Sequence, residues 1–165
     1  MKVFGVVGWK NSGKTYFVNK IISKLTSMNL RVASIKHAHH DFDIDKENTD
    51  SYLHRKAGSE QVIISSSKRW AKIIELKKSK EKDLNELISE FNKPDIVIVE
   101  GYKNENHLKI EIIKDPSGSS RYLFNDIDNV IAIVSDINID SFKKKQFKKN
   151  QIDEIVNYIL NYKNE

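Results

Sequence analysis

The chain has 165 residues, 39% of them hydrophobic and 31% charged, with a net charge of +5. That length and balance fit one globular domain over residues 1–165 and exclude a disordered chain. No apolar run approaches the roughly 18 residues of a membrane span, and the absence of cysteine excludes disulfides and thiolate metal sites.

The basic excess could steer an anion toward a cleft. Its lysines are interspersed with Asp and Glu, and the densest run, Lys143 to Lys145 with Lys148 and Lys149, contains no arginine. A solvated loop or helix end is expected there, and nucleic-acid binding is not the expected role. The amino-terminal apolar stretch is too short for a signal peptide, which with the missing cysteines fits a cytoplasmic setting.

In chain order, Lys2 to Val7 reads as a short buried strand ended by Gly8. Phe17, Val18, Ile21, Ile22, Leu25 and Met28 then recur at helical spacing. A second strand is expected over Arg31 to Lys36, and a short helix from Thr49 or Asp50 through Ala57, with Gly58 in the left-handed terminal position. Gln61 to Ser65 and Ala71 to Leu76 flank SSSKRW as a candidate hairpin. Leu84, Leu87, Ile88 and Phe91 mark another helix, and Pro94 opens the apolar strand DIVIVE. Strands at Lys109 to Lys114 and Val130 to Val134 and a helix carrying Ile152, Ile155, Val156, Ile159 and Leu160 complete the chain. This alternation predicts an α/β fold with a mainly parallel sheet flanked by helices, plus a small antiparallel insertion near residues 61–76.

Between the first strand and first helix stands GWKNSGKT, Gly8 to Thr15. Its G-x-x-x-x-G-K-[ST] spacing and strand-to-helix setting are those of a P-loop. Glycines let the backbone wrap until several N–H groups face inward as an anion nest, and the first helical turn adds its unpaired donors. Lys14 would reach the β- and γ-phosphates of a nucleotide, and Thr15 would offer a hydroxyl to Mg²⁺. The second metal-facing oxygen is expected from Glu100, at the carboxyl end of the apolar strand, where ligands bind in open α/β sheets. Asp95 opens that strand, about 17 Å away at the opposite sheet edge. Asn92-Lys93-Pro94-Asp95 spells a guanine-reading N-K-x-D, but it precedes a strand instead of following one, so that match is refused.

In KHAHHDFDID, Lys36 to Asp45, the clustered His37, His39 and His40 could form an anion or ligand surface, a metal site, or merely a solvated polar edge. Asp41, Asp43 and Asp45 alternate with Phe42 and Ile44 as in a half-exposed strand. Ser51 and Arg55, four apart, share a helix face that could present an arginine to phosphate or lie on an ordinary charged surface. Trp70 is either an interface side chain beside Arg69 or a core residue under the hairpin.

Taken together, GWKNSGKT, KHAHHDFDIDKENTDSYLHRKAG, SSSKRW and IVIVEGYK resemble the molybdopterin-guanine dinucleotide biosynthesis adapter family, MobB, from the first strand to about Asp136. The resemblance implies a P-loop NTPase fold, GTP and Mg²⁺ as ligands, and hydrolysis that is slow at most. It implies a homodimer and association with the guanylyltransferase that joins GMP to molybdopterin, so that molybdopterin is met indirectly. By residue, it implies Gly8, Lys10, Asn11, Ser12, Gly13, Lys14 and Thr15 for phosphates and Thr15 and Glu100 for Mg²⁺. Gly101 and Lys103 would lie beside the nucleotide, and Ser66, Ser67, Lys68 and Arg69 would form a loop reaching the nucleotide or an anion. Tyr16 replaces a usual second threonine, Asn48-Thr49 a glycine-lysine, and Leu108 a proline. The rival reading is a P-loop small-molecule kinase. Such enzymes close an arginine-bearing lid, and the chain has only the dispersed Arg31, Arg55, Arg69 and Arg121.

Overall fold

The computed structural model describes residues 1–38, 42–77, 79–114 and 121–163. The chain forms two compact units, one of Met1–His37 with Leu84–Glu165 and one of Ala38–Asp83.

The first unit is built on a six-stranded sheet. β1 (Lys2–Val7) runs into α1 (Lys14–Ser27), which is followed by β2 (Val32–Lys36). In the second unit, α2 (Asp50–Lys56) precedes β3 (Gln61–Ser65) and β4 (Trp70–Ile74). The first unit resumes with α3 (Leu84–Ser89), β5 (Ile96–Glu100), β6 (Leu108–Ile112), β7 (Val130–Val134), β8 (Lys145–Phe147) and α4 (Ile152–Asn161). The sheet order is β2-β5-β1-β6-β7-β8, and each neighbouring pair runs parallel. All six strands therefore end at the same sheet edge, where the P-loop begins.

Strands covered on both faces need apolar side chains on both, and β5 shows this directly. Ile96 and Ile98 join Phe17, Ile21 and Leu25 of α1 and Ile155 and Ile159 of α4 in one core. Val97 and Val99 join Leu84, with Leu87 and Ile88 of α3 packed against them, on the other face. Each such buried aliphatic side chain contributes about 1.5–3 kcal/mol. Among the described residues, no helix is long and apolar enough to cross a membrane.

The expected hairpin is present as β3 antiparallel to β4, with Ser65 opposite Trp70. Two expectations are corrected. Part of the lysine run is not a loop: Lys145 to Phe147 forms β8, paired to β7 through Val134 and Phe147, because Phe147 supplies an apolar anchor. Residues 42–45 form no strand, since Asp43 and Asp45 are both drawn to Arg55. His39, His40 and Asp41 lie outside the described residues.

Candidate functional site

Between the end of β1 and the start of α1 the backbone reverses repeatedly. Gly8, Asn11 and Gly13 have φ of 154°, 61° and 95°. Two are glycine, and the third is among the side chains that tolerate the left-handed region best. Such a turn leading into a helix amino terminus forms the concave set of N–H donors that suits phosphate. Ser12 is buried and its hydroxyl has no partner among the described residues, so a polar atom is held inside the loop with bonding capacity to spare. Lys10 and Asn11 are exposed on the same turn.

Lys14, half-buried at the first turn of α1, donates its ammonium to the Trp9 carbonyl at 2.8 Å. Burial holds its pKa below the ordinary lysine value; Glu100 opposes this, while Lys103 and Lys36 push the same way as burial. An ammonium in that setting is short of negative charge, as suits a phosphate ligand. Thr15 Oγ1 donates to Glu100 Oε1 at 3.0 Å. Parallel pairing aligns Glu100 with Val6 on one side and Lys36 on the other, which brings the buried carboxylate to the loop. A hydroxyl and a carboxylate in contact at this edge are the oxygen donors that Mg²⁺ takes from proteins of this loop type.

Beyond Glu100 the chain turns sharply, with φ of 94° at Gly101 and 49° at Tyr102. A Cβ on Gly101 would fall 2.9 Å from Cβ of His37, so glycine here permits the close approach of β2's exit. The His37 amide donates to the Glu100 carbonyl at 2.9 Å, and its ring stacks on Tyr102 with centroids 4.4 Å apart. Lys103 places its ammonium 4.7 Å from the Trp9 ring centroid. The Trp9 indole N–H donates to the Arg121 carbonyl.

Two contributors escaped the sequence reading. Trp9 stood inside the motif without an assigned job. Glu111, on β6 beside Val7 and only 1% exposed, accepts the amides of Leu123 and Phe124, both at 2.9 Å. A charge inside the apolar run KIEII was the available signal.

Ser66, Ser67 and Arg69 belong to the second unit and sit, exposed, on the β3–β4 turn. That turn is closed by the Ser66 amide donating to the Arg69 carbonyl at 2.9 Å, while the Ser66 hydroxyl accepts from the Lys68 and Arg69 amides. Trp70 is 69% exposed, which removes the reading of a core side chain. Arg55 is not a free phosphate hook. Its guanidinium is surrounded by Glu75 at 2.6 Å, Asp43 at 2.8 Å and Asp45 at 2.9 Å, which together raise its pKa and occupy its donors within the second unit. Ser135 and Asp136, after β7, make a turn: the Ser135 hydroxyl accepts the Ile137 amide, and Asp136 pairs with Lys149.

The opposite edge of the first unit's sheet carries a cleft of about 970 Å³ lined by Lys2, His107 and Lys144 among others. Its lysines are already spent on carbonyls: Lys2 on those ending α4, Lys144 on Val130, and the buried Lys109 beneath on Glu105, His107 and Asp128. Asp95, also at this edge, is tied to Arg31, consistent with refusing the N-K-x-D match. The His107 ring packs against Gly5, whose hypothetical Cβ would lie 2.4 Å from Nε2, and neither ring nitrogen has a partner among the described residues.

Burial, with Lys109 adding to it, pushes the His107 pKa down to about 4 from an ordinary 6.5. The unfolded chain therefore binds the extra proton first, and stability is unaffected above pH 6.5 and falls as pH drops from 6.5 toward 4. Urea titrations at pH 7.5 and 4.5 are expected to show about 2 kcal/mol more acid loss in the native protein than in His107→Phe, after allowance for solvent screening. Equal acid loss in the two would contradict this.

The sequence profile described as "Molybdopterin guanine dinucleotide synthesis protein B" (MobB) matches residues 3–136. The molybdopterin-guanine dinucleotide biosynthesis adapter protein of Escherichia coli (strain K12) is 40% identical over 131 residues, which span 78% of this chain and 75% of that protein. The protein of the same name from Haemophilus influenzae is 40% identical over 110 residues, 66% of this chain and 61% of that one. The crystal structure of Bacillus subtilis MobB superposes with a TM-score of 0.77 at 23% identity, covering 100% of both chains; this likeness concerns the fold.

Proposed function

Since the chain belongs to the MobB family, we propose that it is a GTP-binding adapter in the making of molybdopterin guanine dinucleotide. In this reading one domain of 165 residues, comprising both compact units, holds GTP·Mg²⁺ in the cytoplasm and presents the loaded surface to the guanylyltransferase that joins GMP to molybdopterin. Gly8, Lys10, Asn11, Ser12, Gly13, Lys14 and Thr15 cradle the phosphates, with Gly101 and Lys103 alongside. Thr15 and Glu100 hold Mg²⁺, which supplies charge neutralisation when bound. Ser66, Ser67 and Arg69 add anion contacts in a homodimer. Fast phosphoryl transfer needs an oriented water and a cation at the developing charge. Lys36, His37 or Asp41 could assist only weakly, so hydrolysis is slow at most.

The observation that carries this reading is the 3.0 Å contact between Thr15 and Glu100 beside the phosphate loop. Calorimetric titration with GTP and ATP, each with and without Mg²⁺, tests it. GTP is expected to bind at least tenfold more tightly than ATP, and Mg²⁺ to tighten both. Equal affinities would reject the guanine assignment. Rapid phosphorylation of a small-molecule acceptor would reject the adapter in favour of a kinase.

A further inference from the structure

Trp9 lies where two sets of contacts meet. Its carbonyl accepts the Ser12 amide at 3.1 Å and the Lys14 ammonium at 2.8 Å, both from the phosphate loop. Its indole face carries Lys103, and its indole N–H is bonded to the Arg121 carbonyl. Arg121 begins a strap that runs to Asp126, with the two end side chains ion-paired. The strap's middle is fastened by the buried Glu111 carboxylate through the Leu123 and Phe124 amides. One fastening is thus a buried carboxylate, and another is the ring of a loop residue that is 43% exposed.

We propose that Trp9 couples phosphate occupancy of the loop to the Arg121–Asp126 strap. A phosphate is a stronger acceptor for an ammonium than a neutral carbonyl, so a bound nucleotide takes Lys14 from the Trp9 carbonyl. The same charge draws Lys103 from the indole face. Trp9 then keeps the Ser12 amide and the Arg121 carbonyl but has lost both cations, and the Arg121 end of the strap loosens while the Glu111 end stays fixed. Occupancy becomes readable at a surface away from the phosphates, as an adapter requires. The inference rests on the nucleotide reading above.

Hydrogen exchange of the backbone over 121–126 tests it, with and without saturating GTP·Mg²⁺ and with binding confirmed by calorimetry on the same samples. In the native protein GTP is expected to speed exchange at the Arg121 end severalfold. Trp9→Phe keeps the aromatic face and loses the N–H, so its strap should exchange faster without nucleotide and show no further change at saturation. As a second readout, Trp70→Phe leaves Trp9 as the only tryptophan, and its emission should shift as GTP binds. Binding heat with unchanged strap exchange and unchanged emission would overturn the coupling alone, as would an identical strap response in Trp9→Phe. No heat with GTP or tripolyphosphate would overturn the nucleotide reading and the coupling with it.

Discussion

Lys14→Ala is expected to weaken GTP binding about 100-fold, roughly 3 kcal/mol, in a calorimetric titration. A lysine over a polyphosphate supplies charge-assisted hydrogen bonds, which are about twice as strong as neutral ones. The ammonium here starts from a poor alternative. It is bonded to one neutral carbonyl, partly desolvated, and set among Lys36 and Lys103, with Glu100 opposing them. Removing it should leave the fold intact, because the carbonyl it is bonded to also accepts the Ser12 amide. A melting temperature within a few degrees of native, together with the lost affinity, is the expected pair of results. Undiminished affinity would show that Gly8 to Thr15 does not hold the phosphates.

The second large effect concerns stability. Glu111→Leu leaves the Leu123 and Phe124 amides without their acceptor, the first in a buried place and the second in a partly buried one. An orphaned amide costs about 1–3 kcal/mol, and relief from burying a carboxylate returns part of that. A net loss of about 3 kcal/mol is expected, seen as a fall in melting temperature of about 6–12 °C. Glu111→Gln keeps one acceptor and should lose about a third as much. Burial raises the Glu111 pKa despite the two amide bonds, which oppose the rise. The folded protein therefore holds this proton more tightly than the unfolded chain, and acid favours folding through Glu111 while it opposes folding through His107. Variants at each site, and not the native pH profile, separate the two. A Glu111→Leu protein as stable as the native one would mean that the strap closes without the carboxylate.

Much of this was legible in the sequence. The loop, its lysine and its threonine follow from a pattern that needs strand before and helix after, and Glu100 from its place at the end of IVIVE. Both inferences use local periodicity, and both features depend on it. Arg55 shows where that stops. Its helix spacing put it on a face with Ser51, but its partners lie 12, 10 and 20 residues away, and no period connects them. Lys109 and Glu111 were read as strand residues, and they are, but their partners are backbone carbonyls and amides. Every residue carries such groups, so nothing in the sequence distinguishes the ones used. β8 escaped because a three-residue edge strand among lysines has one apolar anchor, too few to show alternation.

The central position of β1 sets the order in which this protein can come together during synthesis. Lys2 pairs with Ile96 and Phe4 with Leu108, so β1 has no neighbour until these later strands are synthesised, about 5–20 s afterwards at ordinary elongation rates. Until then its apolar side chains and unpaired amides face solvent, and closing so long a loop must precede any gain from pairing. The nascent amino-terminal half is thus the stretch most open to chaperone capture and to mispairing with other chains, and nucleotide can contribute to stability only after that delay has ended.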